Sequence, residues 1–249
     1  MPDAGLWRPL AAELGRWQDA GRIVDFWLRD DDAVEPSAAL DRLLALAGHA
    51  AVAPTLAVIP ARTGRALAER IAGETGLGVA VHGWSHQNHA PAGEKKQELG
   101  LHRPADIVLA ELADARIIID SLFPAQALPI LVPPWNRLAP ALLPDLPGLG
   151  FTSLSVFGKA PPGPLDCLNT HVDLMAWGGE RKGGREHPAL VAEIVAALVE
   201  RREAGSSEPI GLLSHHLVHD ETAWSFLQDL FEMTNEAPAC RWMAARELI

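Results

Sequence analysis

The sequence contains no tyrosine and only two cysteines, Cys167 and Cys240, in 249 residues. Two cysteines exclude a disulfide framework and any zinc motif built on thiolates, so a metal would have to be held by histidine and carboxylate. Without tyrosine, aromatic contact to a ligand falls to Trp and Phe. Basic residues are outnumbered too: 21 Lys and Arg stand against 32 Asp and Glu, a formal charge of -11. That balance repels a phosphate backbone, so nucleic acid is not expected as a partner. No apolar run approaches the ~18 residues that a membrane span needs. Met1 to Gln18 alternates polar and apolar residues and lacks the apolar stretch of a secretory signal. The expectation is a cytoplasmic protein that does not engage a membrane.

What is present suffices for a core. Hydrophobic residues make up 48% and charged residues 21%, the composition of a folded globular protein. The stretch Lys159 to Pro164 (KAPPGP) and the Gly-rich, charged stretch Gly178 to Glu186 read as loops too short to link domains, so one domain over 1–249 is expected. Seven short apolar runs read as strands: Ile23 to Arg29, Ala51 to Ile59, Leu77 to Val81, Pro129 to Val132, Phe151 to Val156, Leu165 to Asn169 and Ile210 to Ser214. Helical patterns fall between them over Pro36 to Gly48, Thr63 to Thr75, Ala105 to Leu122, Pro188 to Arg202 and Glu221 to Asn235, with Ser37 and Pro188 placed as helix starts. This rhythm predicts βα units and a mostly parallel sheet.

In a parallel β/α barrel, chemistry gathers at the C-terminal strand ends. Four unusual clusters lie just after predicted strands: Arg29-Asp30-Asp31-Asp32, the stretch His82 to His89 (HGWSHQNH), Pro133-Pro134-Trp135-Asn136-Arg137, and His215 to Asp220 (HHLVHD). Three successive carboxylates repel one another and ordinarily mark a helix start or a solvated loop. Combined with histidines from another strand end, they make a ligand set suited to Zn²⁺ or a related divalent ion. His82 is placed at a strand end and His86 in the turn that follows, while His89 is read as an exposed loop residue. By strand alternation His215 points into the barrel and His216 away, with His219 solvated.

These residues resemble, in order and over most of the chain, the motifs of the polysaccharide deacetylase (NodB-like) family, metal-dependent amidases that remove acetyl groups from N-acetylated sugars. The family's Thr-Phe-Asp-Asp corresponds to Arg29-Asp30-Asp31-Asp32, and its His-(Ser/Thr)-x-x-His to His82-Gly83-Trp84-Ser85-His86. Its Arg-x-Pro-(Tyr/Trp) corresponds to Val132-Pro133-Pro134-Trp135 and its Leu-x-His to Leu213-Ser214-His215; the nearest equivalent of the fourth motif is Asp173 and Trp177 in VDLMAW. The resemblance implies an α/β fold, a distorted (β/α) barrel of about seven parallel strands. It implies Asp32, His82 and His86 as ligands of a divalent metal, zinc first, with cobalt, nickel or manganese as alternatives. It places the general base on Asp31 and the general acid on His215. A slip of one residue would make Asp30 the base and Asp31 the ligand, and His216 is the alternative acid. Trp135, Pro134, Trp84 and Leu213 are candidate substrate contacts, and Asp173 is a candidate to hold His215. Two positions depart from the family: Val132 stands where it has the Arg that orients the catalytic Asp, and Gly83 where it has Ser or Thr. Arg29 or Arg137 is expected to restore the missing charge.

Amide hydrolysis at neutral pH needs a nucleophile better than water, and a divalent ion with an open position lowers the pKa of water toward ~7. A carboxylate must then take a proton and an imidazole must give one to the departing amine. The expected function is therefore removal of an acetyl or other acyl group from an N-acylated sugar, a small molecule or an oligosaccharide. The competing reading, motivated by Val132, is a catalytically silent barrel that binds a carbohydrate or metabolite. Phosphate-ester or deaminase chemistry is a third, and the scarcity of basic residues near the motifs weighs against phosphorylated substrates.

Overall fold

A computed structural model describes residues 4–159, 162–178 and 183–249. The first half of the chain runs α1 (Ala4–Asp19), β1 (Val24–Ala33), α2 (Ala38–His49), β2 (Thr55–Val58), α3 (Arg65–Ile71), β3 (Gly78–His82), α4 (Ala105–Leu122) and β4 (Ala127–Val132). The short strands β5 (Ser153–Leu154), β6 (Asp166–Cys167), β7 (Val172–Asp173), β8 (Met175–Ala176) and β9 (Gly183–Gly184) follow. The chain closes with α5 (His187–Ala204), β10 (Ile210–Ser214), α6 (Glu221–Asn235) and β11 (Cys240–Trp242).

Eight strands lie in the order β6-β5-β4-β3-β2-β1-β10-β7, with β11 beside the start of β1, and every one of these pairings is parallel. The two ends of this order are successive in the chain. Leu168 N–H donates to Leu154 O and Thr170 N–H to Val156 O, while the next residue, His171, donates to Gly211 O on the other edge. The segment 166–173 thus leaves β5 and joins β10, curling the sheet into the distorted barrel expected.

Side-chain alternation along β1 divides the core in two. Phe26 and Leu28 face outward and pack with Val79 and Val81 against helix residues that include Leu43, Leu112, Ile194 and Leu227. Trp27 faces inward among Ala57, Ala80, Ile130, Val132 and Leu168. The alanines leave room for the Trp27 indole, whose Nε1 donates to Asn169 O at 3.2 Å. Ser37 caps α2 as expected, its Oγ accepting from Leu40 N–H at 3.0 Å, and α5 begins with Pro188 in its first turn.

The structure adds elements that the periodicity did not predict. Ala4–Asp19 is helical; its Trp7, Leu10, Leu14 and Trp17 are buried on one stripe, and it packs on α5. Within the stretch expected to be a loop from Gly178, β9 pairs antiparallel with β8. Residues 160–161 and 179–182 of the two expected loops lie outside the described residues. Among the described residues, no helix is long and apolar enough to cross a membrane.

Candidate metal centre and active site

The ends of β1, β3, β4 and β10 bring the four clusters to one mouth, and the three aspartates of β1 part ways there. Arg29 and Asp31 share the inward face with Trp27. Arg29 Nε and Nη2 donate to Asp31 Oδ1 and Oδ2 at 2.9 and 3.0 Å. Its remaining contacts are Ser155 Oγ and Asn136 Oδ1, each at 2.8 Å. Arg29 is 0% exposed, and a desolvated guanidinium is tolerated only with such a set of acceptors. Asp30 lies on the outward face, where its Oδ2 accepts from Ser214 Oγ at 2.5 Å and from His216 N–H at 2.9 Å, and its Oδ1 faces His216 Nδ1. Burial would raise the Asp30 carboxyl, but His216 outweighs it and holds the group below its ordinary range. Asp32 leaves the alternation at φ 72, within a register shift against β2 between Asp30 and Ala33. A bulge of this kind re-aims a side chain, and Asp32 turns to the histidines.

Asp32 Oδ1 lies 3.2 Å from His82 Nε2 and 3.3 Å from His86 Nε2. His82 Nδ1 is 2.9 Å from Val132 O; a carbonyl only accepts, so Nδ1 carries a proton and Nε2 is the nitrogen turned to Asp32. Burial would lower His82, but Asp32 and Asp31 outweigh it and raise the ring above its ordinary range. Asp32 Oδ1 is buried without a hydrogen-bond partner. A carboxylate oxygen and imidazole nitrogens this close share either a proton or a metal ion, and one carboxylate with two imidazoles is a donor set that fits a divalent ion. Burial would raise the Asp32 carboxyl, yet the two histidines hold it well below the usual carboxylate range. Burial, and then His82, lowers His86. An ionised carboxylate and a neutral imidazole are the forms that bind metal. The geometry thus groups Asp32, not Asp31, with the histidines. His215, His216 and His219 form no second group of this kind among the described residues.

Of the five non-glycine residues at positive φ among the described residues, four are at this mouth: Asp32, His86, Trp135 and Asn136. Backbone strain of this sort is retained where surrounding contacts impose it. The Trp135 ring lies against His86 with centroids 4.3 Å apart, and Pro134, the preceding residue, is buried. Trp84, half-buried like Trp135, packs against the outer core, and Leu213 is 1% exposed. Arg137 does not reach Asp31. Its Nη1 donates to Lys96 O at 2.8 Å, and the arginine that donates to Asp31 is Arg29.

His215 lies within electrostatic reach of Asp32, and its ring meets Trp177 edge-on at 4.5 Å. Asp173 does not hold His215 by a hydrogen bond, as had been expected from its place in the sequence. Its carboxylate accepts from Trp177 Nε1 at 2.7 Å and from Met175 N–H at 2.9 Å, so it steadies the indole that flanks His215. Burial raises the Asp173 carboxyl. His216 points away from His215, as alternation requires, and is 1% exposed on Asp30. His219 is half-buried rather than freely solvated: its Nε2 accepts from His215 N–H at 3.3 Å, its ring meets Trp224 edge-on at 4.5 Å, and burial pushes its pKa down to about 4.

That depression has a sign in stability. The unfolded chain takes up a proton at His219 near its ordinary ~6.5, before the folded protein does, so this contribution is complete above that pH and fades as pH falls toward the folded value, by at most ~3 kcal/mol. Denaturant unfolding at ~pH 7 and ~pH 5 should therefore show a smaller acid loss for His219→Asn than for the wild type. Equal losses would mean that His219 is not held neutral in the fold.

The sequence reading did not single out Ser155, Asn136, Ser214 or Glu98. Glu98 is buried, and its carboxylate accepts from the 84–87 turn that carries His86. Ser155 and Glu98 fall in no recognisable motif; Ser214 fills the variable position of Leu213-Ser214-His215, and Asn136 stands beside Trp135.

No protein-family model matches the sequence, and no curated protein matches it. Solved structures do match in shape. A protein from Mycobacterium smegmatis assigned as a polysaccharide deacetylase aligns with TM-score 0.70 and 14% identity over 92% of this chain and 89% of that one. A family 4 acetyl xylan esterase from Clostridium thermocellum, in complex with a cobalt ion, aligns with TM-score 0.54 and 17% identity over 90% of this chain and 89% of that one. A mutant of a CE4 family pseudoenzyme with restored enzymatic activity aligns with TM-score 0.56 and 13% identity over 91% of this chain and 67% of that one. What is shared at such identities is the fold.

Proposed function

We propose, from the premise that the chain has the fold of the polysaccharide deacetylases, that it is a divergent member of that family. In this reading 1–249 is one deacetylase-like domain, a metal-dependent hydrolase that removes an acetyl or other acyl group from an N-acylated sugar or oligosaccharide. The observation that carries the reading is a carboxylate clamped by a buried arginine, Asp31 on Arg29, beside an unsatisfied Asp32, His82, His86 donor set.

Asp32, His82 and His86 would hold a divalent ion. Two imidazoles and one carboxylate suit zinc, and also cobalt, nickel or manganese. The chemistry such an ion supplies when bound is Lewis acidity toward water and an acyl carbonyl. Arg29 grips both Asp31 oxygens and fixes their direction, so that Asp31 can take a proton from the attacking water. His215 gives a proton to the nitrogen as the carbon–nitrogen bond breaks, which releases a neutral amine and the free acid, whose own proton then passes to solvent to leave a carboxylate. Trp135 offers an apolar face beside His86 for the sugar ring or acyl methyl.

The test is product analysis with N-acetylated oligosaccharides. Acetate should be released by the zinc- or cobalt-loaded protein, cease after chelation and return on reloading. Binding of the oligosaccharide without acetate release, under any metal loading, would instead select the silent carbohydrate-binding barrel.

A further inference from the structure

Glu98 is a carboxylate 0% exposed in the interior, twelve residues beyond His86 in the chain. Its Oε1 accepts from Ser85 N–H at 2.8 Å, Ser85 Oγ at 2.9 Å and Gln87 N–H at 3.3 Å, and its Oε2 accepts from Trp84 N–H at 3.1 Å. Three backbone donors of one turn thus converge on a single anion, the arrangement by which backbone concavities bind negative charge. The turn is bent by left-handed residues at both ends, Gly83 at φ 57 and His86 at φ 58. For His86 this conformation is disfavoured in isolation, so something outside the turn must hold it. Position 83 shows how tightly the carboxylate is built in. A Cβ there would lie 2.2 Å from Glu98 Oε2 and 2.6 Å from the Pro134 ring, so the Ser or Thr of the resembled motif would require Glu98 and Pro134 to shift.

We infer that Glu98 is the positioning residue for His86. Its carboxylate holds the 84–87 turn so that His86 Nε2 stays beside Asp32 Oδ1, and it thereby sets the affinity of the site for a divalent ion. The inference rests on the proposed function only in requiring that the site bind such an ion. Glu98→Gln keeps the shape but replaces one acceptor oxygen with a donor that opposes the turn's N–H groups. Supporting partners one step from a ligand typically account for 10- to 100-fold in metal affinity, and a loss of about that size is expected here.

The experiment has two readouts on intact protein. The first is the dissociation constant for Co²⁺, by competition with a chelating dye, for wild type and Glu98→Gln. The second is amide exchange at Trp84, Ser85 and Gln87 in the metal-free proteins. The wild type should protect these amides without metal, and Glu98→Gln should lose that protection while β3 and β4 keep theirs. Ser85→Ala, which removes only the hydroxyl contact, provides a milder variant should Glu98→Gln fail to fold, and it should weaken Co²⁺ binding less than tenfold with the backbone amides still protected. Exposed amides at 84, 85 and 87 in the metal-free wild type would overturn the inference, as would equal Co²⁺ affinity for wild type and Glu98→Gln. A wild type that takes up no ion would overturn the proposed function, and this inference with it.

Discussion

Asp31→Asn should lower acetate release by about 10²- to 10⁴-fold, the range that loss of a positioned general base produces. The substitution preserves shape and leaves one oxygen to accept from Arg29, but an amide cannot take the proton from water. Some stability goes as well, because one Arg29 prong then meets an NH₂ group, at a cost of about 1–3 kcal/mol for an unmet buried donor. Metal uptake should persist, since Asp32, His82 and His86 are untouched. Asp30→Asn provides the contrast. Asp30 is spent on Ser214 and His216, so its variant should lose stability while retaining far more turnover than Asp31→Asn. Rate measurements on the two proteins, with thermal unfolding alongside, decide between the neighbouring carboxylates; the reverse order of activities would move the base to Asp30.

Arg29→Met should be the most destabilising of the site substitutions, by about 3–5 kcal/mol, because removing one partner of a buried ion pair strands the other. Arg29 and Asp31 have side chains 0% and 3% exposed, so water cannot replace the lost guanidinium. Ser155 Oγ and Asn136 Oδ1 lose their donor too. Turnover should fall even where the variant is folded, since an Asp31 without its guanidinium partner is no longer aimed. Arg29→Lys should not restore function, because an ammonium cannot supply the fork that grips both Asp31 oxygens. Arg137→Ala, by comparison, removes one bond to Lys96 O and should leave rate and stability close to wild type. If Arg137→Ala were the damaging substitution, the compensation at Val132 would have been assigned to the wrong arginine.

The barrel and the neighbourhood of the site were legible because they depend on local pattern. Apolar runs of strand length mark the staves, and the spacing His82 to His86 after β3 marks a histidine pair at a strand end. The fate of Asp30, Asp31 and Asp32 was not legible. Simple alternation puts Asp32 on the same face as Asp30, and only the bulge against β2 turns it to the histidines. Partners supplied by distant segments were hidden as well: Ser155 lies 126 residues from Arg29, and nothing in a serine announces such a contact. Asp173 misled by adjacency, because Trp177, four residues on, takes its oxygen. In α1 the apolar stripe was obscured by Pro9, Gly5 and Gly15, residues that ordinarily argue against a helix. His219 reads as solvated in a loop past the strand end, yet the turn brings its ring back to the backbone of His215.

The most direct measurement is divalent metal content per chain, by elemental analysis after loading and desalting, for the wild type, Asp32→Ala and Asp31→Asn. A metal-dependent deacetylase built as described holds about one ion per chain in the wild type and in Asp31→Asn, and none in Asp32→Ala, as expected for one tetrahedral site with three protein ligands. A wild type that retains no metal under any loading condition, or an Asp32→Ala protein that retains as much as the wild type, would contradict it.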